Sequence, residues 1–134
     1  MAIHHSTSIL IVDDSGAMRS VVRKLLTQLG FSNLDEASDG AAALAKISDK
    51  YFGLVISDWN MEPMSGKALL EQVRANKKHA NLPFIMMTAD TSIDKILQAK
   101  TAGVTCFIKK PFHAQDLQAK ISQANRSNRL MAPA

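Results

Sequence analysis

The sequence predicts a doubly wound α/β domain in which five parallel strands alternate with five helices. Two features predict this class: short apolar runs recur along the chain, and an amphipathic stretch follows each of them. Right-handed crossovers between parallel strands place helices on both faces of the sheet, and the expected strand order is 2-1-3-4-5. The predicted strands are residues 8–12, 33–37, 54–57, 84–87 and 105–109.

Apolar residues at helical spacing predict the five helices. The first helix is the clearest and ends at Gly30, with its apolar positions at Met18, Val21, Val22, Leu25, Leu26 and Leu29. The second starts at Asp39 and Gly40, the third covers about residues 66–75, the fourth stops at Gly103, and the last covers about residues 114–125. The expected inward residues of these four are Ala43, Leu44 and Ile47, then Leu69, Leu70 and Val73, then Ile93, Ile96 and Leu97, and finally Leu117 and Ile121.

Length and composition are those of one folded domain. The chain has 134 residues, of which 46% are hydrophobic and 21% are charged, as in ordinary globular proteins. We expect a domain over residues 8–125, an N-terminal extension over residues 1–7 and a C-terminal tail over residues 126–134. No apolar run approaches the roughly 20 residues of a membrane-spanning helix. Because residues 1–7 also lack the lysine or arginine of a signal peptide, we expect a cytoplasmic protein without a membrane partner.

Charge and cysteine content exclude several kinds of site. The formal net charge is +4, but the basic residues form no stripe, which argues against nucleic-acid binding. Cys106 is the only cysteine, so an internal disulfide and a cysteine-based zinc site are excluded, and a small buried hydrophobe is expected there. His4 and His5 are too few and too near the end to form a metal site on their own.

Three carboxylates are expected to meet in one crevice of the sheet. Asp13 and Asp14 follow the first predicted strand and Asp58 follows the third, and strand order reverses between these two, which is where such sheets bind ligands. Each aspartate alone has an ordinary explanation as a helix cap or the start of a loop. Together they would repel one another, and a hard divalent cation such as Mg²⁺ is their natural partner.

The ends of the fourth and fifth strands add groups suited to phosphoryl transfer. Thr88 ends the fourth predicted strand with a hydroxyl, and Lys110 follows the fifth with an ammonium group. Phosphoryl transfer depends on positioning and on stabilising negative charge, and an aspartate can be the nucleophile. Each residue also has an ordinary alternative, since Thr88 could bond to backbone at a buried strand end and Lys110 could be a solvated surface lysine.

Several motifs over about residues 8–125 resemble the receiver domain of bacterial two-component response regulators, and most closely its stand-alone chemotaxis members. The resemblance implies the flavodoxin-like form of the predicted sheet. The motifs that carry it are Ile11-Val12-Asp13-Asp14-Ser15, Phe31-Ser32-Asn33 leading to Ala37-Ser38-Asp39-Gly40, Val55-Ile56-Ser57-Asp58-Trp59-Asn60-Met61, Met87-Thr88-Ala89 and Lys110-Pro111-Phe112.

The resemblance implies a phosphorylation site with a bound metal ion. Asp58 would accept the phosphoryl group from a histidine kinase of the chemotaxis type. Mg²⁺ would be bound by Asp14, Asp58 and the backbone carbonyl of Asn60, and Asp13 would reach the ion through water. Asn60 and Asp90 are of the types seen in fast-turnover chemotaxis members. The protein would be a monomeric signalling switch that catalyses only its own phosphorylation and dephosphorylation.

Further roles follow from the same resemblance. Thr88 and Lys110 would hold the phosphoryl oxygens, and Thr88 and Phe107 would form the conformational switch. The bond between Lys110 and Pro111 would be cis. The flagellar switch protein is a possible downstream partner, reached through the face formed by the fourth helix, the fifth strand and the fifth helix.

Three departures from the family pattern change these expectations. Glu62 stands where the family has proline, and Pro63 comes one residue later, so the loop after the third strand is expected to differ. When Mg²⁺ is absent, Glu62 is expected to approach the metal pocket or pair with a lysine. Phe107 keeps the ring of the common tyrosine but loses its hydroxyl. Ser92 and Ile93 stand where the chemotaxis members have a lysine pair, and we therefore expect weak binding to the flagellar switch protein.

Rival functions on the same architecture fit less well. A flavodoxin-like redox enzyme would need a phosphate-binding loop after the first strand, where Asp13 and Asp14 would repel an anionic cofactor. A P-loop hydrolase fails because Gly66-Lys67 lacks the required spacing, with Met61 five residues earlier and Ala68 next. A phosphatase with an aspartate nucleophile, a phosphate sink and a scaffold with an idle acidic pocket remain alternatives.

Overall fold

A computed structural model describes residues 3–130 of the chain, with the side chains of residues 3–126. Within this range no helix is long and apolar enough to cross a membrane. Strands and helices alternate strictly, and one short 3₁₀ turn at Lys77–His79 precedes the fourth strand. The strands are β1 (Ile9–Val12), β2 (Leu34–Ala37), β3 (Leu54–Asp58), β4 (Phe84–Thr88) and β5 (Cys106–Lys109). The helices are α1 (Gly16–Gln28), α2 (Gly40–Asp49), α3 (Gly66–Ala75), α4 (Ile93–Ala102) and α5 (Ala114–Leu130).

The five strands form one parallel sheet in the order β2-β1-β3-β4-β5, which confirms the predicted topology. Each observed strand lies within one residue of its predicted range at either end. The register aligns Val12 of β1 with Ser57 of β3, and Asp58 with Met87 of β4. The carboxyl ends of β1, β3 and β4 are therefore level at one edge of the sheet.

Two apolar layers cover the two faces of the sheet, as expected for strands that are buried on both sides. Successive strand residues alternate between the layers, so Leu10 and Val12 face one and Ile9 and Ile11 face the other. The first layer is completed by α2, α3 and α4, and the second by α1 and α5. Cys106 lies buried in the second layer, where burial raises the pKa of its thiol to about 11, so it is inert as predicted.

Side-chain caps determine where several helices begin. The hydroxyls of Ser15, Ser65 and Ser92 accept hydrogen bonds from backbone N–H groups in the first turns of α1, α3 and α4, and the Asp39 carboxylate does so for α2. At the other end of α4, Gly103 adopts a φ of 94°, a left-handed conformation that favours glycine. The predicted start of α2 at Asp39 and the predicted end of α4 at Gly103 are explained by these caps.

The predicted inward face of α4 was wrong for two residues. Ile93 is 77% exposed and Leu97 is 56% exposed, whereas the buried positions are Ala99 and Ala102. The buried positions of this helix are occupied by small side chains, so its apolar face is narrower than the periodicity indicated. On α1, Val21 is likewise 48% exposed rather than inward.

Both ends of the domain are joined in the structure. The backbone N–H of Ile3 donates to the Oδ1 of Asn125 at 3.1 Å, and the Asn125 amide donates back to the Ile3 carbonyl at 3.5 Å. Ile3 is 8% exposed and packs into the second apolar layer. α5 continues to Leu130, five residues past its predicted end at 125, so the start of the expected loose tail is helical, and residues 131–134 lie outside the described residues.

An acidic cluster on β2 is neutralised by lysines of α2. The Asp35 carboxylate lies 2.7 Å from the Nζ of Lys46 and 3.0 Å from that of Lys50. Partial burial raises the pKa of Asp35, but the hydrogen bonds from both lysines outweigh it and lower the pKa to about 2.

We expect the stabilising effect of this carboxylate to depend on pH. Because its pKa is depressed in the folded state, its contribution is present above about pH 4 and is lost as the pH falls towards 2. Asp35→Asn should lower the free energy of unfolding at pH 7 by about 1 kcal/mol, since solvent screens part of the linkage energy. Urea unfolding at pH 7 and pH 2.5 should show this difference shrinking, and an equal difference at both pH values would contradict it.

Candidate functional site

The topology brings four predicted residues to the carboxyl edge of the sheet. Asp58 is the last residue of β3, Thr88 is the last residue of β4, and Asp13 and Lys110 directly follow β1 and β5. Carboxylate oxygens of Asp13, Asp14 and Asp58 all lie within 4.8 Å of one another. The predicted convergence of the three carboxylates is therefore present.

Lys110 supplies the positive charge of this crevice. Its Nζ lies 2.7 Å from the Oδ1 of Asp58 and 3.7 Å from the Oδ2 of Asp13. The backbone N–H of Lys110 donates to the Thr88 carbonyl at 2.8 Å, which extends the pairing of β4 with β5 by one residue. The peptide bond between Lys110 and Pro111 is cis, as expected. Lys110 is therefore directed into the site, and it is not the solvated surface lysine of the alternative interpretation.

Asp13 is the most buried of the three acids, with 1% of the residue exposed. Its Oδ1 accepts a hydrogen bond from the Ser15 N–H at 2.9 Å, but its Oδ2 is buried without a hydrogen-bond partner. Burial raises the pKa of Asp13, and the neighbouring charges of Asp58 and Asp14 raise it further, against the lowering effects of Ser15 and Lys110. A buried carboxylate oxygen with an unmet bonding capacity fits a hard divalent cation.

Thr88 makes a local turn at the end of β4. Its hydroxyl donates to the Asp90 carbonyl at 3.1 Å and accepts from the Asp90 N–H at 3.0 Å. The side chain is 5% exposed. In this conformation the Thr88 hydroxyl bonds to backbone, as in the ordinary alternative for this residue. The hydroxyl would have to leave this turn to contact a phosphoryl oxygen.

The loop after β3 passes close over the site. The Gly66 N–H donates to the Trp59 carbonyl at 2.8 Å, and a Cβ at Gly66 would collide with the backbone carbonyl of Asp58. This close approach explains why glycine starts α3. The exposed residues Asn60 and Glu62 line a shallow groove beside Asp14. Glu62 forms no ion pair with a lysine within residues 3–126. Its bond to Pro63 is cis, which was not predicted from the sequence.

Two contacts near the site were missed from the sequence. The Nζ of Lys95 lies 4.6 Å from the centre of the Trp59 ring, and the Nζ of Lys120 lies 5.4 Å from the centre of the Phe107 ring. The two residues of each pair are far apart in the sequence and lie on different elements, so no local pattern predicts these contacts. A surface cleft lies at the opposite end of the sheet, between the loops that precede β3 and β4, and does not touch the carboxylates.

The family model of the response regulator receiver domain matches residues 9–122. The chain belongs to this family. Among curated proteins it is 44% identical over 115 residues to the chemotaxis protein CheY of Pseudomonas aeruginosa, covering 86% of this chain and 93% of that protein. It is 41% identical over 121 residues to the chemotaxis protein CheY-3 of Vibrio cholerae, covering 90% of this chain and 93% of that protein.

The solved structure of the chemotaxis response regulator CheY4 of Vibrio cholerae matches with a TM-score of 0.83 and 33% identity, covering 89% of this chain and 98% of that one. This receiver is thus a CheY-like, phosphorylation-dependent signalling switch rather than a classical enzyme. Receiver domains take phosphoryl groups from histidine kinases, and they bind Mg²⁺ in general.

Proposed function

We propose that this receiver acts as a stand-alone switch that accepts a phosphoryl group on Asp58 from a histidine kinase of the chemotaxis type. The observation that carries the proposal is the 2.7 Å contact between the Asp58 carboxylate and the Lys110 ammonium, within a cluster of three acids. The receiver would occupy residues 8–125, with Ile3 of the N-terminal extension packed against it and α5 continuing past it to Leu130. Its similarity to chemotaxis proteins supports a chemotaxis or related two-component pathway.

The proposed reaction uses Asp58 as the nucleophile. One carboxylate oxygen attacks phosphorus, the bond from phosphorus to the imidazole nitrogen of the kinase histidine breaks, and the imidazole leaves with the electron pair. Lys110 would neutralise the negative charge on the transferred oxygens, and Thr88 would donate its hydroxyl to one of them. In the separate dephosphorylation step water attacks phosphorus and gives up a proton to solvent, and Asp58 leaves as its carboxylate, which releases inorganic phosphate.

The carboxylates of Asp13, Asp14 and Asp58 and the loop at Asn60 would hold Mg²⁺. The buried Oδ2 of Asp13, which has no hydrogen-bond partner, supports this assignment. When bound, the ion neutralises charge on the phosphoryl oxygens and on the carboxylates around them. The chain's own contribution is to hold the three acids together and to keep Lys110 beside Asp58.

The switch would couple Asp58 to the face formed by α4, β5 and α5. If Thr88 left its turn with Asp90 to contact a phosphoryl oxygen, it would vacate space next to Phe107. Phe107 has no hydroxyl to desolvate, so its inward rotation would cost less than that of tyrosine. A few kcal/mol of difference between the two packings is enough for such a population shift.

Incubation with acetyl phosphate and Mg²⁺ tests the proposed function. The protein should gain one phosphoryl group that is lost in alkali, as expected of an acyl phosphate, and intact-mass spectrometry measures the gain. A scaffold with an idle acidic pocket would gain none. A phosphate sink would be phosphorylated but would bind no partner more tightly as a result, and comparing pull-downs of the two forms separates these outcomes.

We expect weak binding to the N-terminal segment of the flagellar switch protein. Ser92 and Ile93 begin the α4 face without the two lysines of the chemotaxis pattern, and the exposed Ile93 makes this face more apolar. Interface charges chiefly steer association and set specificity, so an acidic segment should lose affinity. Calorimetric titration of the beryllofluoride-bound protein with the motor peptide measures this. Micromolar affinity would contradict the expectation and leave the phosphorylation chemistry intact.

A further inference from the structure

A small hollow lies between the phosphorylation site and the α4–β5 face. Trp59 and Phe107 both border it, together with Thr88, Lys95 and Ala99. The hollow has no room for a water molecule. Because the ring of Phe107 already borders a space this small, it can turn further inward only if another wall of the hollow moves.

A lysine ammonium lies over each of the two aromatic rings. Lys95, on α4, places its Nζ 4.6 Å from the centre of the Trp59 ring. Lys120, on α5, places its Nζ 5.4 Å from the centre of the Phe107 ring. Neither lysine forms a salt bridge in the part of the chain whose side chains the structure describes. The interactions of the Lys95 ammonium are with the Trp59 ring and with the charge of Asp90.

We propose that Lys95 and Lys120 are positioning residues that hold the resting conformation of the switch. Lys95 connects the first turn of α4 to Trp59, the residue next to Asp58. This contact stabilises the packing of α4 against Trp59 at one side of the hollow. Lys120 holds the Phe107 ring in its resting, half-buried place. Both contacts oppose the entry of Phe107 into the space that Thr88 would vacate. This inference rests on the proposed function and adds the residues that oppose activation.

The direction in which loss of Lys95 changes the affinity for a phosphoryl mimic distinguishes this positioning role from a purely electrostatic one. A cation near an anionic phosphoryl group attracts it, so loss of Lys95 through charge alone would weaken the binding of a phosphoryl mimic. If Lys95 instead stabilises the resting packing, its loss raises the population of the binding-competent state and tightens binding. A cation–π contact of ordinary strength corresponds to a change of about two- to fivefold in that equilibrium.

The test measures the apparent affinity of the full chain for beryllofluoride in the presence of Mg²⁺. Trp59 is the only tryptophan, so its fluorescence follows the titration at one place. Lys95→Met and Lys120→Met, which keep side-chain length and remove the charge, should each tighten binding about two- to fivefold. Lys95→Arg keeps a cation for the ring and should stay within about twofold of the parent.

A second measurement reports on the hollow itself. The methyl group of Ala99 borders it, and its NMR shift in ligand-free Lys95→Met and Lys120→Met should move towards the beryllofluoride-bound position. Lys100→Met is the matched control, since Lys100 is an exposed lysine of α4 without an aromatic contact in the described residues. It should leave both measurements unchanged.

The possible outcomes separate this inference from the proposed function. If the parent protein binds no beryllofluoride, the proposed function fails. If the parent binds it and both methionine variants bind equally or more weakly, the positioning role is overturned and the phosphorylation site stands. Tighter binding in Lys100→Met by the same factor would also overturn it, because the effect would then follow net charge rather than the ring contacts.

Discussion

Asp58→Asn is expected to abolish phosphoryl uptake from acetyl phosphate. The neutral amide introduced by this change has no anionic oxygen to attack phosphorus, while the neighbouring acids Asp13 and Asp14 are unchanged. Asp13 is nearly fully buried and holds the Ser15 N–H, so it is poorly placed to substitute as the acceptor. Intact-mass spectrometry after incubation with acetyl phosphate and Mg²⁺ should show the added phosphoryl group on the parent alone.

A matched variant controls for the loss of one negative charge. Asp49 ends α2, is exposed and lies outside the acidic cluster, so Asp49→Asn should be phosphorylated like the parent. Retention of most of the phosphoryl uptake in Asp58→Asn would show that another residue is the acceptor. Peptide mapping of the modified protein would then identify it.

Mg²⁺ is expected to raise the melting temperature of the chain by roughly 10 °C at saturation. A ligand that binds only the folded state adds about 2.7 kcal/mol at 100 times its Kd, and in a domain of this size each kcal/mol corresponds to a few degrees. The ion would also relieve the repulsion among three acids whose oxygens lie within 4.8 Å of one another. Thermal unfolding at rising Mg²⁺ concentrations measures the effect.

Two variants test whether this stabilisation comes from the acidic crevice. Asp14→Ala removes an exposed ligand of the proposed site and Asp58→Asn removes a buried one, so both should reduce the Mg²⁺-dependent rise. Without Mg²⁺, Asp14→Ala should melt at or above the temperature of the parent, because it removes like-charge repulsion. A melting curve of the parent that does not change in millimolar Mg²⁺ would count against the site.

The main features of the site follow directly from the sequence. Parallel strands end level with one another, so polar residues at the ends of four neighbouring apolar runs must converge, and Asp13, Asp58, Thr88 and Lys110 do. The start of α2 was equally predictable, because Asp39 caps this helix locally. These features depend on short stretches of sequence and on one rule of topology.

Other features depend on how elements pack, and the sequence alone does not determine them. The periodicity of α4 allowed Ile93 and Leu97 to face inward, but the buried positions of this helix are Ala99 and Ala102. The contact between Lys95 and Trp59 joins residues on different elements and depends on where α4 lies. The helical extension of α5 past residue 125 has no apolar periodicity strong enough to predict it.

The pairing of Ile3 with Asn125 also determines where the chain can be joined to other proteins. Both residues lie at the amino ends of the strands, on the side of the sheet opposite Asp58, since α5 runs antiparallel to β5. A fluorescent protein attached at either end would therefore point away from the phosphorylation crevice. The short separation of the two residues also makes circular permutation feasible, with a brief linker joining the old ends and new ends cut into an exposed loop.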